Sequence, residues 1–260
     1  MTVCNHQDIN QYSLWLLVPV VFLVLTSCTN TPWHAQQAEV FLNKGISYIE
    51  IGRYNHAIKE LMEAEKYSPQ NPKIHYYLGM SYHYKDMKDM ATEELKKAIA
   101  LDENYSEAHN YLGTLYLDSG LWDQAIEEFQ KALRNYLYDT PAIALYNMGW
   151  AYYSKADYNA ALARYQEALR KDPMTNLRPK IEKNIGLVYI KQAKRAQAKM
   201  HLEKAISLDP SLLDAYFFLA ETCLEIRDTA NAKKYFRQVV SLAPQSPFGQ
   251  KSLEYLHSLE

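Results

Sequence analysis

Cysteine is scarce in this chain of 260 residues, which has only Cys4, Cys28 and Cys223. The three lie far apart and form neither a CxxC pair nor the Cys/His spacing that is typical of zinc sites. The sequence therefore predicts no metal site and no disulfide framework.

Long runs of one charge are also missing. The 28 Lys and Arg residues and 30 Asp and Glu residues interleave and give a formal charge of -2. Nucleic acid is an improbable partner, because neutralising phosphates takes a concentrated cationic face. With 8 glycines, the chain contains no Gly-rich phosphate loop, and no Ser/His/Asp or Cys/His arrangement is legible. We expect no enzymatic activity, no catalytic residue, no cofactor and no small-molecule substrate.

The apolar run at residues 13–25 is shorter than the ~20 residues of a membrane-spanning helix, so it indicates a targeting segment. The run ends in Leu25, two small residues and Cys28, which resembles the bacterial lipoprotein signal. That resemblance implies a signal peptide at residues 1–27, a lipidated Cys28 carrying diacylglycerol and an acyl chain such as palmitate, and a tether at residues 28–37. In many such lipoproteins an Asp next to the lipidated cysteine keeps the protein in the inner membrane. This chain has Thr29 at that position, so the resemblance favours attachment to the outer membrane, facing the periplasm.

Residues 1–12 contain no Lys or Arg, although signal peptides normally begin with positive charge. An uncleaved anchor with an incidental cysteine is therefore the alternative interpretation of this segment.

The rest of the chain repeats itself. A small marker residue recurs at spacings of 34, 34, 36, 37 and 34, and an alanine follows each marker after twelve positions. A period of 34 is typical of tetratricopeptide repeats, each of which is a pair of helices. The markers are Gly45, Gly79, Gly113, Gly149, Gly186 and Ala220.

Large residues recur in register with the markers. Sixteen positions after each marker stands Leu, Phe or Tyr, and three positions after it stands Tyr48, Tyr82, Tyr116, Tyr152, Tyr189 or Cys223. We interpret the small residues as points of close helix approach and the large ones as filling the space between successive pairs. His75 and His109 are better explained by packing than by catalysis.

The fold class predicted is all-α, a tetratricopeptide-repeat superhelix, or α-solenoid, of six helix pairs with a C-terminal capping helix. Irregular junctions at residues 136–141 and 174–179 predict a kink or loop. The repeats are predicted at residues 38–71, 72–105, 106–139, 142–175, 179–212 and 213–246, together 38–246, and the capping helix at 247–260.

The inner surface of such a superhelix is free of the repeat's packing constraints, so it is the expected partner-binding groove. Exposed rings there are suited to an amphipathic helix or an extended peptide; the alternative is that they pack between repeats. Leu42 and Ile46 occupy positions where chaperone-tail clamps carry polar residues, which makes carboxylate capture improbable. The predicted groove residues are Tyr76, Met80, His83, Tyr84, Asn110, Thr114, Leu117, Ile143, Tyr146, Trp150 and Tyr153.

The lipoprotein-like Cys28, the short tether and six repeats resemble the type IV pilus pilotins, the lipoproteins of the PilF, PilW and Tgl type. Residues 136–169 are similar to that family's junction between repeats three and four. The resemblance implies a non-enzymatic role: binding a secretin subunit and assisting its outer-membrane localisation and multimerisation in type IV pilus biogenesis. The alternatives are a lipoprotein adaptor for cell-wall enzymes or exopolysaccharide export, and a soluble interaction protein.

Overall fold

The computed structural model describes residues 32–259, and every regular element in this range is an α-helix. The predicted signal peptide and Cys28 lie outside the described residues. Within them, no helix is both long and apolar enough to cross a bilayer. The helices are α1 (Pro32–Glu50), α2 (Tyr54–Tyr67), α3 (Pro72–Tyr84), α4 (Lys88–Leu101), α5 (Ser106–Asp118), α6 (Trp122–Ala132), α7 (Pro141–Ser154), α8 (Tyr158–Lys171), α9 (Arg178–Lys191), α10 (Arg195–Leu208), α11 (Leu213–Glu225), α12 (Thr229–Leu242) and α13 (Pro247–Ser258).

The two helices of every pair are joined by the same tight turn. One residue of each turn has a positive φ, between 58° and 72°, and the next N–H donates to a carbonyl five residues back, as from Arg53 to Tyr48 at 2.8 Å. This is a Schellman ending, which satisfies carbonyls left free at the helix terminus. The positive-φ residues are Gly52, Asp86, Gly120, Ala156, Ala193 and Arg227.

Close approach within each pair depends on the marker glycines. A Cβ placed on Gly113 would lie 2.7 Å from Phe129, and one on Gly149 would lie 2.6 Å from Tyr165. The large residue sixteen positions after each glycine thus packs on the glycine of its own pair. These large residues also reach the next pair, as we expected from the sequence: Phe129 packs with Met148 and Ala151 of α7, and the Tyr165 hydroxyl accepts a hydrogen bond from Asn184 of α9 at 3.3 Å.

The pairs stack into a solenoid. Each pair packs on the next, and odd-numbered helices also lie against one another, whereas the backbones of even-numbered helices are farther apart. The odd-numbered helices therefore form the inner, concave side. At the C-terminal end α13 covers the last pair, with Tyr255 stacked 4.6 Å from Phe236 and Phe248 4.9 Å from Phe217. The predicted fold class, six helix pairs plus a capping helix, is confirmed.

The irregular junctions are loops, at residues 133–140 and 172–177. Tyr138 is buried in the first loop, so that loop is held against the helices. The prediction of a tether up to residue 37 needs correction, because α1 begins at Pro32. Proline suits this position, since its fixed φ fits a first helical turn and its lack of an N–H costs nothing there.

Candidate functional site

The structure places the predicted groove residues along the inner sides of α3, α5 and α7. Tyr84 is 51% exposed and Trp150 38% exposed, so these two rings are the most accessible aromatics of the set. Ile143 is also exposed. The other eight are half-buried: Tyr76, Met80, His83, Asn110, Thr114, Leu117, Tyr146 and Tyr153.

In the second and third repeats, several of these rings join neighbouring helices. Tyr76 of α3 lies 5.3 Å from Tyr105 and 6.0 Å from Tyr111. Tyr111 Oη lies 3.0 Å from His83 Nδ1. Burial raises the pKa of Tyr76 above its ordinary value of 10.0. Tyr76 therefore acts largely as packing between repeats, which is the alternative that the sequence left open.

A polar strip separates the two aromatic parts of the groove. The amide of Asn147 lies 3.4 Å from Asn110 Oδ1 and 3.4 Å from Thr114 Oγ1. Thr114 Oγ1 in turn donates to the Asn110 carbonyl at 3.0 Å. Asn147 was missing from the sequence prediction, which assigned Asn110 and Thr114 without a partner on the next helix.

A cavity of about 520 Å³ opens beyond this strip, between α7, α9, α11 and α13. Trp150 and Tyr153 form its first wall and stack on each other with ring centres 5.2 Å apart. The sequence analysis ended the groove at these two residues. The remaining apolar walls are Leu187, Ile190, Phe218 and Phe248.

Two of the missed residues carry a recognisable signal. Leu187 and Ile190 follow Gly186 by one and four positions, just as Trp150 and Tyr153 follow Gly149. Extending these two columns into the fifth repeat would have found them. Phe248 has no such signal, because it comes from the capping helix outside the repeat.

Charged residues rim the cavity in pairs. Lys183 Nζ lies 2.7 Å from Asp214, and Glu221 accepts from Lys251 at 3.1 Å and from the Tyr255 hydroxyl at 3.0 Å. Because these four charges already have partners, an apolar segment can enter without leaving any of them unpaired against it; Lys191, which also lines the cavity, is exposed to solvent. The site is suited to binding an apolar peptide.

The predicted packing histidines lie away from the groove, inside their helix pairs. His75 Nδ1 lies 2.8 Å from Glu94 and its Nε2 lies 3.0 Å from the Pro69 carbonyl. The hydrogen bond to Glu94 raises the pKa of His75 above 6.5. Burial acts to raise the pKa of Glu94, but hydrogen bonds from His75 and Lys97 bring it below 4.5.

His109 repeats this arrangement, 2.6 Å from Glu128 and 3.1 Å from the Glu103 carbonyl. Among residues 32–259, no group of His, Cys, Asp and Glu side chains has an arrangement that could hold a metal ion. The buried histidines serve to join helices.

Family models match most of the repeated region. Models described as tetratricopeptide repeat match residues 104–173 and, separately, 72–105, 184–212 and 213–246. A model described as TPR repeat matches residues 45–85.

Among curated proteins, the BBSome complex member BBS4 of Bos taurus is 30% identical over 101 residues, which is 39% of this chain and 19% of that protein. The match thus spans about a fifth of the relative. The solved structure of Pseudomonas aeruginosa PilF has a TM-score of 0.76 at 17% identity and covers 86% of this chain and 99% of its own.

The structure of PilW, a widely conserved type IV pilus biogenesis factor, also has a TM-score of 0.76, at 21% identity, and covers 83% of this chain and 98% of its own. At these identities, the two likenesses establish a shared fold.

Proposed function

Since the chain is a tetratricopeptide-repeat protein, we propose that it is a non-enzymatic, lipid-anchored scaffold that binds a secretin subunit. In this role it would assist the subunit's outer-membrane localisation and multimerisation in type IV pilus biogenesis. Tetratricopeptide-repeat proteins bind protein partners. The fold shared with PilF and PilW supports the choice of pilus biogenesis.

The observation that carries the binding role is the cavity between α7 and α13. It has an apolar wall of aromatic and aliphatic side chains and a rim of mostly paired charges, with Trp150 and Tyr153 stacked at its edge. Stacked, accessible rings next to a pocket are the usual anchors of a protein interface. We infer that one or two apolar side chains of the client enter this cavity.

The rest of the client would lie along the inner face toward Tyr84. Tyr84 stacks 4.7 Å from Tyr54, so its ring is held in place while 51% of the residue stays exposed. A ring that is ordered before binding loses little conformational entropy when the client docks. Asn147 and Thr114, between the two aromatic parts, can offer hydrogen bonds to the client backbone.

The lipid anchor on Cys28 is proposed from the sequence around it, since Leu25–Cys28 has the form of a lipoprotein signal. Several acyl chains hold a protein on a membrane far more firmly than one, at ~0.8 kcal/mol for each buried CH₂. The anchor would keep the scaffold at the inner surface of the outer membrane, where a secretin assembles.

Substitution of the groove rings tests the client site. The double variant Trp150→Ala with Tyr84→Ala should weaken secretin binding by ~2 kcal/mol or more if both rings are anchors, with helix content unchanged. Titration of the purified mature lipoprotein with secretin subunit, followed by calorimetry, gives the affinity.

A double variant away from the groove serves as the control. Trp122, on α6, is 40% exposed, close to the 38% of Trp150, and Tyr136 is 90% exposed in a loop. Trp122→Ala with Tyr136→Ala should bind secretin normally. Unchanged binding by the groove variant would rule out this site, and equal loss in both variants would point to a general effect of removing rings.

The second candidate is an adaptor for another envelope machine, which would use the same groove. Affinity purification of the lipoprotein from the envelope separates the two candidates. Recovery of a secretin supports the pilus role, whereas recovery of a peptidoglycan hydrolase or a polysaccharide exporter would replace it.

A further inference from the structure

The first helix exposes a surface that every later repeat buries. Val40 precedes its marker glycine by five positions and is 43% exposed. The residues at the same position in the other five repeats pack on the preceding pair, and all have 0% exposure: Ile74, Ala108, Ala144, Ile181 and Ala215.

Two neighbouring columns show the same contrast. The position just before the marker holds Lys44 in the first repeat, and two positions after the marker stands Ser47; both are exposed. In the later repeats the residues at both positions are buried. The position just before the marker, which holds Lys44 in the first repeat, is apolar in every later repeat: Leu78, Leu112, Met148, Ile185 and Leu219.

The exposed surface continues along the whole of α1. Trp33 lies seven residues before Val40, and Ile51 lies eleven residues after it, so helical spacing places all three on one stripe. Trp33 is 54% exposed and Ile51 64% exposed. We call the surface formed by Trp33, Val40, Lys44, Ser47 and Ile51 the end face. No helix of residues 32–259 covers the end face, whereas α13 covers the opposite end of the solenoid.

We propose that the end face docks on the interfacial layer of the lipid bilayer in which Cys28 is anchored. The inference rests on the lipid anchor of the proposed function. Because α1 begins at Pro32, only three residues separate it from Cys28. At most ~3.6 Å per residue, Pro32 can be no more than ~14 Å from Cys28 along the chain, so Trp33 is held beside the membrane surface.

The chemistry of the end face suits a lipid interface better than a second protein. Trp is enriched at the membrane–water boundary, where its amphipathic ring sits at headgroup depth. Lys44 can lay its aliphatic stem along the face and reach a phosphate with its ammonium group. Glu60 lines the same hollow as Lys44, so this part of the face carries one acidic and one basic group, as a zwitterionic headgroup does.

A cluster of rings braces Trp33 for this contact. The Trp33 ring meets Tyr67 edge-on with ring centres 5.7 Å apart, and the Tyr67 ring in turn stacks on Phe41, also at 5.7 Å. A dry interface with a second copy would bury Lys44, where other repeats place a leucine, methionine or isoleucine. Docking on lipid would direct the solenoid away from the membrane, with the cavity of α7–α13 at its far end.

Fluorescence quenching by brominated lipid tests the contact. The lipidated protein is reconstituted into vesicles of phosphatidylethanolamine and phosphatidylglycerol that contain bromine-labelled phosphatidylcholine. In one variant Trp33 is the only tryptophan of the lipidated protein, with Trp122 and Trp150 changed to Phe; in its matched control Trp33 and Trp150 are changed to Phe and only Trp122 remains. We expect quenching of Trp33 and unchanged emission from Trp122.

A second variant separates docking from anchoring. Val40→Asp with Ile51→Asp, in the single-Trp33 background, should relieve the quenching while palmitate labelling and helix content stay unchanged. If Trp33 is not quenched in a palmitate-labelled protein, the docking is overturned and the anchor stands. The same holds if sedimentation shows that the protein self-associates and thereby shields Trp33 from the lipid. Absence of palmitate would overturn the anchor of the proposed function and the docking with it.

Discussion

Glu182 of α9 lies 2.7 Å from His201 Nδ1 of α10. The His75–Glu94 pair of the second repeat has the opposite arrangement, with the histidine on the first helix and the acid on the second. His75, His109 and Glu182 each precede a marker glycine by four positions, and Glu94, Glu128 and His201 each follow one by fifteen. A lysine then stands three positions further on, and each of Lys97, Lys131 and Lys204 binds the acid of its own pair. In these three repeats the two positions hold a complementary pair, and the fold accepts it in either polarity.

Exchanging the pair of the second repeat should therefore be tolerated. His75→Glu alone and Glu94→His alone each leave an uncompensated group in a buried position, at a cost of about 3 kcal/mol. The double exchange should recover more than half of that loss, since Lys97 can still bind the acid, although the Pro69 carbonyl loses its donor. Urea unfolding followed by circular dichroism measures all three variants; a double variant as unstable as the sum of the single ones would contradict the exchange.

The His75–Glu94 pair should make stability depend on pH. The pKa of His75 is raised from 6.5 in the folded protein, so its contribution is full below pH 6.5 and is lost as pH rises through the raised pKa. The pKa of Glu94 is lowered from 4.5, so its contribution is full above pH 4.5 and is lost as pH falls through the lowered pKa. The stabilisation is greatest between pH 4.5 and 6.5.

The measurement is the urea midpoint of wild type minus that of His75→Ala across this pH range and on both sides of it. The difference should peak inside the window and shrink toward alkaline pH. A difference that grows as pH rises above the window would show that His75 is buried in its neutral form.

Gly113 should be intolerant of a side chain. A Cβ there would meet Phe129 at 2.7 Å, so Gly113→Leu should overpack the α5–α6 pair and lower the free energy of unfolding by ~1 to 3 kcal/mol. Client binding should fall only as far as the folded fraction does. The control is Gln130→Leu at an exposed position of α6, and thermal unfolding compares them; equal midpoints would refute the close approach.

The turn at Ala156 should gain stability from glycine. Ala156 has a φ of 62°, a left-handed conformation that costs a residue with a Cβ roughly 1 to 2 kcal/mol. Ala156→Gly should relieve part of that cost. Ala163→Gly, at an exposed position in the middle of α8, should instead destabilise by roughly 0.5 to 1 kcal/mol. Thermal midpoints shifting in the same direction would contradict the assignment of strain to the turn.

The predicted groove shows where sequence reasoning stopped short. The pattern located Trp150 and Tyr153 on the inner side of the solenoid because the marker glycine sets the orientation of each odd-numbered helix. It did not show that Tyr76 is largely taken up by contacts to Tyr105 and Tyr111, since those rings belong to a neighbouring repeat. It also ended the groove too early, because the far wall includes Phe248 of the capping helix.

The period of 34, the glycine column and the large residues in register with it were sufficient to determine the helix pairs and the solenoid. They act through contacts inside one repeat, which recur at each period and so can be read along the chain. Only the tertiary structure decided that His75 meets Glu94, that Glu182 and His201 reverse that pair, and that Val40 is exposed where Ile74 and its equivalents are buried. Those outcomes depend on which side chains a neighbouring helix brings within a few ångströms, and on whether a neighbour is there at all.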